Sequence, residues 1–347
     1  MSYPKRIAID AMGGDSGVDV TVPAALQALE KHPGLELHLV GDSALIEPLL
    51  GDRDNQARRQ RLTVQHTDAV VRDEDRPTRV LRDRTVTSMF RAVQLVQEGT
   101  VSACVSAGNT GSLLLCGRHL LKTARGIDKP AIMAIIPGAT RHCYLLDVGA
   151  NVDCQAAQLF QFAVMGSVLA ESLDGLAPPR VALLNIGVED YKGNEQVRAA
   201  ASLLEQCREI NYIGYVEGSA LFEGKADVVV CDGFVGNVTI KSSAGVVRVI
   251  DKAIAEIVAA DQENRRGAGD HAELIAALQQ RVDPGQFNGA SLLGLQGIII
   301  KSHGNAGSRG FSFAIDRAVR EVDNMVPDLI AARVGRIMDR QQHAPLA

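Results

Sequence analysis

The sequence predicts an α/β fold: a three-layer sandwich in which helices cover both faces of a mostly parallel sheet. Short apolar runs alternate with helical patterns along the chain, and glycine-rich turns follow five of these runs. Strands that are buried on both faces give such continuous apolar runs, and parallel strands need crossover helices between them. The 347 residues, of which 46% are hydrophobic, are enough to bury a sizeable core.

The individual elements follow from these patterns in chain order. Helical spacing predicts helices over 20–31, 87–97, 155–171 and 195–207. No internal repeat and no Pro- or Ser-rich linker divides the chain, so we expect a single catalytic domain over 1–342. The predicted strands cover residues 6–10, 35–40, 62–66, 101–105, 131–136, 143–148, 181–186, 213–216, 228–231 and 298–301.

One segment departs from this alternation. Apolar residues recur at helical spacing between Val247 and Val258, a polar turn follows over 261–270, and a second apolar helix pattern begins at Leu274. The pattern predicts a helical hairpin over 247–285, inserted before the last strand. The residues leave two interpretations open: packing on the domain or on a dimer partner, or contact of the tip with acyl chains or a membrane surface.

Composition narrows the class of protein. The 36 basic and 41 acidic residues give a net charge of −5 without a basic face, so no nucleic-acid partner is expected. The six cysteines show no CxxC pairing, and the first predicted strand begins almost at once, so we expect no signal peptide. We therefore expect a cytoplasmic protein. The His and Cys spacing fits no zinc site and no GxSxG motif occurs, so neither a metallohydrolase nor a serine hydrolase is predicted.

The glycine-rich turns carry the functional prediction. Each turn follows the carboxyl end of a predicted strand, where open α/β sheets bind their ligands. Glycine lets the backbone approach a ligand, and a following helix presents N–H groups that bind phosphate without a metal. The five turns begin at Asp10, Val105, Leu146, Asn185 and Lys301.

The turn over 106–111 is the strongest of the five. Gly108 and Gly111 expose backbone amides beside Ser106, Asn109 and Thr110, although these three residues could also be ordinary helix N-caps. The turn is not a Walker A motif, because no Gly-Lys-Ser/Thr follows. The GxGxxG pattern is missing after the first strand, so we expect no nicotinamide cofactor, and no cofactor of any other kind is predicted.

Three polar residues in the other turns are candidate catalytic residues. Lys192 lies in a polar loop just after a predicted strand, where a point charge can hold a phosphate oxygen. His303 follows the last strand and could act as an acid or base, or simply cap a loop. The Asn237 amide suits the binding of a carbonyl oxygen. In the first turn, Asp10 and Asp15 flank Gly13 and Gly14, which alone are weak signals.

Taken together and in order, these segments resemble one known family. The segments are IAIDAMGGD, VSAGNTG, LLDVGAN, LLNIGVEDYKG, GFVGN and LLGLQGIIIKSHG. They are similar to the phosphate acyltransferases, the acyl-ACP:phosphate acyltransferases of bacterial phospholipid synthesis, from about residue 6 to about residue 320. Each segment is a weak signal alone, but the ordered set is specific.

The resemblance implies an activity and several partners. A fatty acyl group would pass from acyl carrier protein to inorganic phosphate, and a membrane glycerol-3-phosphate acyltransferase would consume the acyl phosphate. It also implies a homodimer, a fold similar to isocitrate/isopropylmalate dehydrogenase and phosphotransacetylase, and membrane contact through 247–285 at the inner face of the membrane. The alternatives are a short-chain phosphotransacetylase that uses acyl-CoA, a β-decarboxylating dehydrogenase, and a non-catalytic binding module.

The candidate site residues then take provisional roles. We hypothesise that amides of the 106–111 turn and Lys192 hold phosphate, while Asn237 and His303 stabilise the tetrahedral intermediate or protonate the departing thiolate. Phosphate can attack a thioester directly, so no protein nucleophile is required, and Cys104 is interpreted as core packing. The remaining predicted phosphate- or substrate-binding residues are Asp10, Gly13, Gly14, Asp15, Ser106, Gly108, Asn109, Thr110, Gly111, Asp147, Asn151 and Ser302.

Overall fold

The structure is a computed structural model that describes residues 5–51, 59–72, 74–82, 86–264 and 284–342. These residues form one sheet of eleven strands. The strands are β1 (Arg6–Asp10), β2 (Glu36–Gly41), β3 (Leu62–His66), β4 (Ala103–Ser106), β5 (Ala131–Ile136), β6 (Cys143–Leu146), β7 (Arg180–Leu184), β8 (Asn211–Val216), β9 (Val228–Val230), β10 (Ala290–Leu293) and β11 (Ile298–Lys301).

Helices connect the strands. Within the described residues the α-helices are α1 (Val18–Lys31), α2 (Ser43–Ile46), α3 (Arg79–Arg82), α4 (Ser88–Gln97), α5 (Thr110–Leu120), α6 (Ala156–Asp174), α7 (Glu195–Glu205), α8 (Gly233–Asn264), α9 (Ser308–Asp323) and α10 (Val326–Gln342). Short 3-10 helices lie at Glu47–Leu50, Gly218–Phe222 and Pro284–Phe287.

The sheet contains two parallel groups that run in opposite directions. The strand order is β3-β2-β1-β4-β11-β10-β5-β6-β9-β7-β8. From β3 to β11 all neighbours are parallel, and from β6 to β8 they are parallel again. Between the groups, β10 and β5 make three successive antiparallel pairings. The second group therefore runs opposite to the first.

Alternate residues of the strands face two helical layers, which gives the expected three-layer sandwich. On one face, β1 and β4 pack Ala8 and Cys104 against α4 and α5. On the other face, α1 and α9 cover the first strand group, while α6 and α10 cover the second. The core is continuous across the sheet, because the buried side chains of one face include residues of both strand groups.

The sequence predictions agree with most elements. All ten predicted strands occur, with ends within two residues of the expected ones, and the four predicted helices match α1, α4, α6 and α7 within three residues. The structure adds the short strand β10, which the sequence analysis missed. Because β10 pairs antiparallel with both neighbours, β11 and β5 run in the same direction, and the second group is reversed at the antiparallel pairing of β5 with β6.

The predicted hairpin is only partly described. Its first helix belongs to α8, which begins at Gly233, fourteen residues before the predicted start. Val246, Val249 and Ile250 on this helix are exposed. The polar turn at 265–270 and the second predicted helix lie outside the described residues. A separate helix, α6, is long and apolar enough to cross a membrane, but 72% of that stretch is buried inside the protein, as expected of a core helix.

Candidate active site

The loops that follow β1, β4 and β11 meet at one edge of the sheet. We call residues 10–17, 106–111 and 301–307 the first loop cluster. The Asp15 N–H donates to the Gly304 carbonyl at 2.9 Å, and the Ser302 N–H donates to the Ser106 carbonyl at 2.9 Å. A Cβ placed on Gly13 would lie 2.8 Å from the Gly108 nitrogen, so the first and second loops touch backbone to backbone. The three loops therefore form one structure.

A buried carboxyl lies beneath these loops. Asp10 is 1% exposed, and its Oδ2 accepts a hydrogen bond of 2.6 Å from the Ser106 hydroxyl, which in turn accepts the Gly108 N–H at 3.1 Å. In the described part of the chain, Asp10 Oδ1 has no partner. Burial raises the pKa of Asp10, although the hydrogen bond from Ser106 opposes this shift. This buried group favours its protonated form more than an exposed carboxyl does.

Helix N-termini point at the same edge. The first turn of α5 begins within the cluster, and Asn109 caps it by accepting the Ser112 N–H at 3.0 Å. The N-termini of α1 and α9 have no side-chain cap. Each helix N-terminus carries unpaired amides and about half a positive charge. The cluster is therefore suited to an anion, and Thr110 and Gly111 at its rim are accessible to solvent.

A lysine and a histidine add to this character. The Lys301 ammonium donates to the Ala107 carbonyl at 3.0 Å and also to the Ser302 carbonyl, so a positive charge lies between two of the loops. The His303 side chain is accessible, yet the surrounding loops restrict its hydration and lower its pKa, and the nearby Lys301 charge lowers it further. His303 is thus biased toward the neutral imidazole, which can accept or donate a proton.

Besides Lys301, two residues of this site were missed from the sequence. Asn288 holds the third loop, because its Nδ2 donates to Ser302 Oγ at 2.7 Å and its Oδ1 accepts the His303 N–H at 3.0 Å. The Asn-Gly pair before β10 was the available signal. Ser88, in the first turn of α4, lies close enough to Asp10 to lower its pKa. Its signal was weak, because a serine at a helix start usually indicates a cap.

The loops that follow β6, β7 and β9 form a second loop cluster, which comprises residues 147–152, 185–194 and 231–238. Asp147, fully buried, accepts the backbone N–H groups of Ile132, Gly149, Ala150 and Asn151, at 2.7 to 3.2 Å. Burial raises the pKa of Asp147, and these hydrogen bonds oppose the rise. Asn151 donates to Asp147 and to the Pro130 carbonyl. Asp147 and Asn151, which were predicted to bind substrate, thus hold this loop together.

Lys192 and Asn237 lie at the surface of the second loop cluster. The Lys192 ammonium is 2.8 Å from Glu189. The main-chain carbonyl of Lys192 accepts a hydrogen bond of 3.1 Å from the Asn185 Nδ2, and this bond fixes the loop. Asn237 lies in the second turn of α8, where its side chain would be 3.7 Å from a Cβ on Gly149. The structure therefore brings Asp147, Asn151, Lys192 and Asn237 to the same edge of the sheet.

The two clusters lie at opposite edges of the sheet. Because the two strand groups run in opposite directions, the carboxyl ends of β1, β4 and β11 are at one edge and those of β6, β7 and β9 at the other. Five strand intervals separate β4 from β9, which at about 4.8 Å each amounts to about 24 Å across the sheet. Within one chain, the 106–111 turn and Lys192 do not contact the same phosphate.

The cysteines of the described residues are free thiols, and most of them are buried. Cys104 lies fully buried within β4, and burial raises the pKa of its thiol well above the ordinary value, which confirms that it packs in the core. All six cysteines are free. Among the residues that the structure describes, no cluster of three or more His, Cys, Asp or Glu side chains is arranged to hold a metal ion.

Fold and site together describe an α/β protein whose loops and helix N-termini are suited to an anion. A family model described as "Fatty acid synthesis protein" matches residues 5–329. The "Phosphate acyltransferase" of Halorhodospira halophila is 49% identical over 344 residues, which cover 99% of this chain and 100% of that protein. The chain belongs to this fatty acid synthesis family, and it is an acyltransferase.

Solved structures confirm the expected fold class. A phosphotransacetylase from Streptococcus pyogenes has a TM-score of 0.59 at 17% identity, and the match covers 91% of this chain and 94% of that one. A 4-hydroxythreonine-4-phosphate dehydrogenase from Klebsiella pneumoniae has a TM-score of 0.50 at 14% identity, covering 93% and 99%. At these identities the likeness concerns the fold alone.

Proposed function

We propose that this enzyme transfers a fatty acyl group from acyl carrier protein to inorganic phosphate and releases acyl phosphate and the free carrier thiol. The observation that carries the proposal is the near-complete, 49% identical match to a phosphate acyltransferase. The first loop cluster supports phosphate as the acceptor, since it joins helix N-termini with the Lys301 ammonium.

The chemistry needs placement more than a protein nucleophile. A phosphate oxygen attacks the thioester carbonyl, a tetrahedral intermediate forms, and the carbon–sulfur bond breaks as the thiolate takes up a proton. Positioning the two reactants supplies on the order of 7–11 kcal/mol of the barrier reduction. Each donor aimed at the developing oxyanion adds about 3–4 kcal/mol. A shaped anion site with an adjacent acid is therefore sufficient.

The first loop cluster offers groups for these steps. Amides at the start of α5 and the Lys301 ammonium would hold phosphate, while Ser106 stays buried and fixes the loop through Asp10. His303 is accessible and biased toward its neutral form, so it would take the proton of the attacking phosphate and return it to the leaving thiolate. Ser302 is buried and positions this loop.

The biological setting belongs to the same proposal. The donor would be long-chain acyl-ACP, and a membrane glycerol-3-phosphate acyltransferase would use the product for phospholipid synthesis. The enzyme would work as a homodimer in the cytoplasm and would contact the inner face of the membrane through 247–285. Exposed Val249 and Ile250 support a contact surface on the described part of this segment.

The test is the release of thiol from palmitoyl-ACP with and without inorganic phosphate, together with direct detection of acyl phosphate. We expect thiol release only when phosphate is present, in amounts equal to the acyl phosphate formed. Thiol release without phosphate would indicate a hydrolase, and no turnover with any acyl donor would refute the proposal. Acetyl-CoA in place of palmitoyl-ACP distinguishes a short-chain phosphotransacetylase.

A second measurement tests the phosphate site. Lys301→Met removes the ammonium and keeps the length of the side chain, so we expect the KM for phosphate to rise at least tenfold while the KM for the acyl donor changes little. Lys122→Met, a lysine outside both clusters, is the control. An unchanged phosphate KM in Lys301→Met would place the anion elsewhere.

A further inference from the structure

Asp15 places a negative charge in a loop cluster that is otherwise suited to an anion. The structure describes all three loops of the first loop cluster, and their two carboxyl groups are those of Asp10 and Asp15. Asp10 is buried beneath the loops, where it accepts the Ser106 hydroxyl. Asp15 is exposed beside helix N-termini and the Lys301 ammonium. A carboxylate there repels an anion unless the two make a favourable contact.

The Asp15 carboxylate does not hold the fold together. Helix α1 begins just after this loop, but no side chain caps its N-terminus. Across the described part of the chain, the Asp15 side chain makes no hydrogen bond and no ion pair. Its contact with the third loop is made by the main chain, because the Asp15 N–H donates to the Gly304 carbonyl at 2.9 Å. Any residue with an N–H group could make that bond.

The side chain instead borders the space where the three loops meet. A Cβ on Gly304 would lie 3.2 Å from Asp15 Oδ1 and 3.8 Å from the Ala107 carbonyl oxygen. The same carbonyl accepts the Lys301 ammonium at 3.0 Å. The carboxylate and the ammonium therefore reach the neighbourhood of one carbonyl from two different loops. An oxyanion bound at these loops is offered an acceptor as well as donors.

The chemistry of a carboxylate determines which oxyanion gains from this arrangement. An ionised carboxylate accepts hydrogen bonds and donates none. An oxyanion that carries a proton can donate its O–H to the carboxylate, and such charge-assisted bonds are short and strong. Inorganic phosphate and arsenate keep at least one proton at neutral pH. Sulfate keeps none, so it meets only the repulsion between like charges.

We propose that Asp15 makes this site selective for protonated oxyanions, so that phosphate is bound and sulfate is rejected. The inference rests on the proposed function, which places phosphate at the first loop cluster. Asp15 accepts a hydrogen bond from a P–OH group that keeps its proton, so the contact adds no step to the acyl transfer. Specificity arises from a group that repels the competitor as well as from groups that attract the substrate.

The test compares three tetrahedral anions by titration calorimetry at neutral pH and constant ionic strength: inorganic phosphate, arsenate and sulfate. We expect wild-type protein to bind phosphate and arsenate at least about 100-fold more tightly than sulfate. Arsenate is larger than phosphate, whereas sulfate is close to phosphate in size. Selection by size would therefore place sulfate above arsenate, which is the opposite order.

Asp15→Asn removes the charge and supplies an amide that can donate to sulfate. We expect sulfate to bind this variant at least about tenfold more tightly than wild type, and the preference for phosphate over sulfate to fall below about tenfold. A disturbed loop does not produce such a gain of affinity. Asp19→Asn, which removes an exposed carboxylate from the first turn of α1, is the matched control and should keep the wild-type preference.

Several outcomes would overturn the selectivity. These are equal affinity of wild-type protein for phosphate and sulfate, no binding of phosphate, an unchanged preference in Asp15→Asn, or an equal fall of the preference in Asp19→Asn. The formation of acyl phosphate is measured separately. If Asp15→Asn shifts the preference but wild-type enzyme forms no acyl phosphate, the proposed function fails and the selectivity stands. If acyl phosphate forms and the preference does not move, the function stands and the role of Asp15 is refuted.

Discussion

At the scale of single residues, Asp10 shows why a polar group can be essential and yet hidden. The glycine-rich turn between β4 and α5 is fixed by the hydroxyl of Ser106, which donates to Asp10 and accepts from the Gly108 amide. The Asp10 carboxyl is 1% exposed and lies beneath its own loop. The carboxyl holds in place the loop whose amides are available to substrate. Burying it costs free energy, because its charged form is desolvated.

Asp10→Asn tests this cost through the pH dependence of stability. Because the pKa of folded Asp10 is raised from its ordinary value of 3.8, wild-type protein loses stability as pH rises from 3.8 to the folded pKa, and not above it. Asparagine does not titrate. The stability difference in favour of the variant should therefore grow by about 1.4 kcal/mol per pH unit in that window.

Denaturant midpoints of both proteins at a series of pH values measure the effect. Asp19→Asn, which removes an exposed carboxyl from the first turn of α1, is the control for the loss of one acidic group. A stability difference between Asp10→Asn and wild type that stays flat from pH 4 to pH 8 would show that Asp10 has no raised pKa.

The types of residue that follow the strands could be read from the sequence, but the contacts that these residues make could not. Gly108, Asn109 and His303 were identifiable because glycine, amide and imidazole groups followed a strand. Lys301 was not, because a lysine at the end of a strand usually extends into solvent, and only the fold brings its ammonium to the Ala107 carbonyl. Asp147 and Asn151 carried the expected signal but use their polar atoms to hold their own loop.

At the scale of elements, the close packing of the first turns of α8 against the loop after β6 sets the shape of the second loop cluster. Gly236 lies in the first turns of that helix, and a Cβ on it would be 1.8 Å from the Asp147 carbonyl oxygen. The helix can approach the loop after β6 this closely only without a side chain at that position. The same contact sets the position of Asn237, the next residue of the helix.

Gly236→Ala should therefore push α8 away and destabilise the protein by about 3 kcal/mol, as overpacking of a tight contact does. Gly245→Ala is the matched control, because the same helix has open space there, with Arg248 as the nearest group at 3.9 Å. Alanine in an open helical position stabilises by about 0.5–1 kcal/mol. Denaturant unfolding should give opposite signs for the two variants, and equal signs would contradict the close contact.

The sequence also shows which elements can be predicted. Strands β1 and β5 were found with the ends that the structure has, because charged residues bound the apolar run of β1 and Pro130 and Pro137 bound that of β5. Strand β10 escaped because it has four residues between two glycines and depends on pairing with β11 and β5, which are distant in sequence or adjacent only after a turn. Local patterns do not encode such pairings.

At the scale of the whole molecule, the direction of the strands mattered more than their number. The sequence predicted loops at carboxyl ends, and every one of them is there. It did not predict that the two strand groups run oppositely, because direction depends on the antiparallel pairings of β10, β5 and β6. One expected phosphate site thus becomes two clusters at opposite edges of one sheet.

A buried ion pair joins the two strand groups. Arg317 and Glu321 on α9 are 3% and 2% exposed, and the arginine Nε is 2.9 Å from the glutamate. The guanidinium also lies over the ring of Tyr144 on β6, 5.3 Å from its centroid. Ser291 on β10 donates to the same glutamate. The pair therefore connects a helix that covers the first group with β10 and with β6, the first strand of the second group.

Substitution of one residue of this ion pair should reduce the free energy of unfolding far more than substitution of both. Glu321→Gln leaves a buried, unpaired guanidinium, so we expect a loss of about 3–5 kcal/mol, whereas the double variant Arg317→Met with Glu321→Leu should lie within about 1 kcal/mol of wild type. Asp323 lies on the same helix and forms an exposed ion pair with Lys5, which precedes β1. Asp323→Asn breaks this pair and should reduce the free energy of unfolding by less than about 1 kcal/mol. Denaturant midpoints compare all three. If the double variant were as unstable as Glu321→Gln, the pair would be stabilising in itself and not merely costly to break, and the contact between the strand groups would depend on its charges.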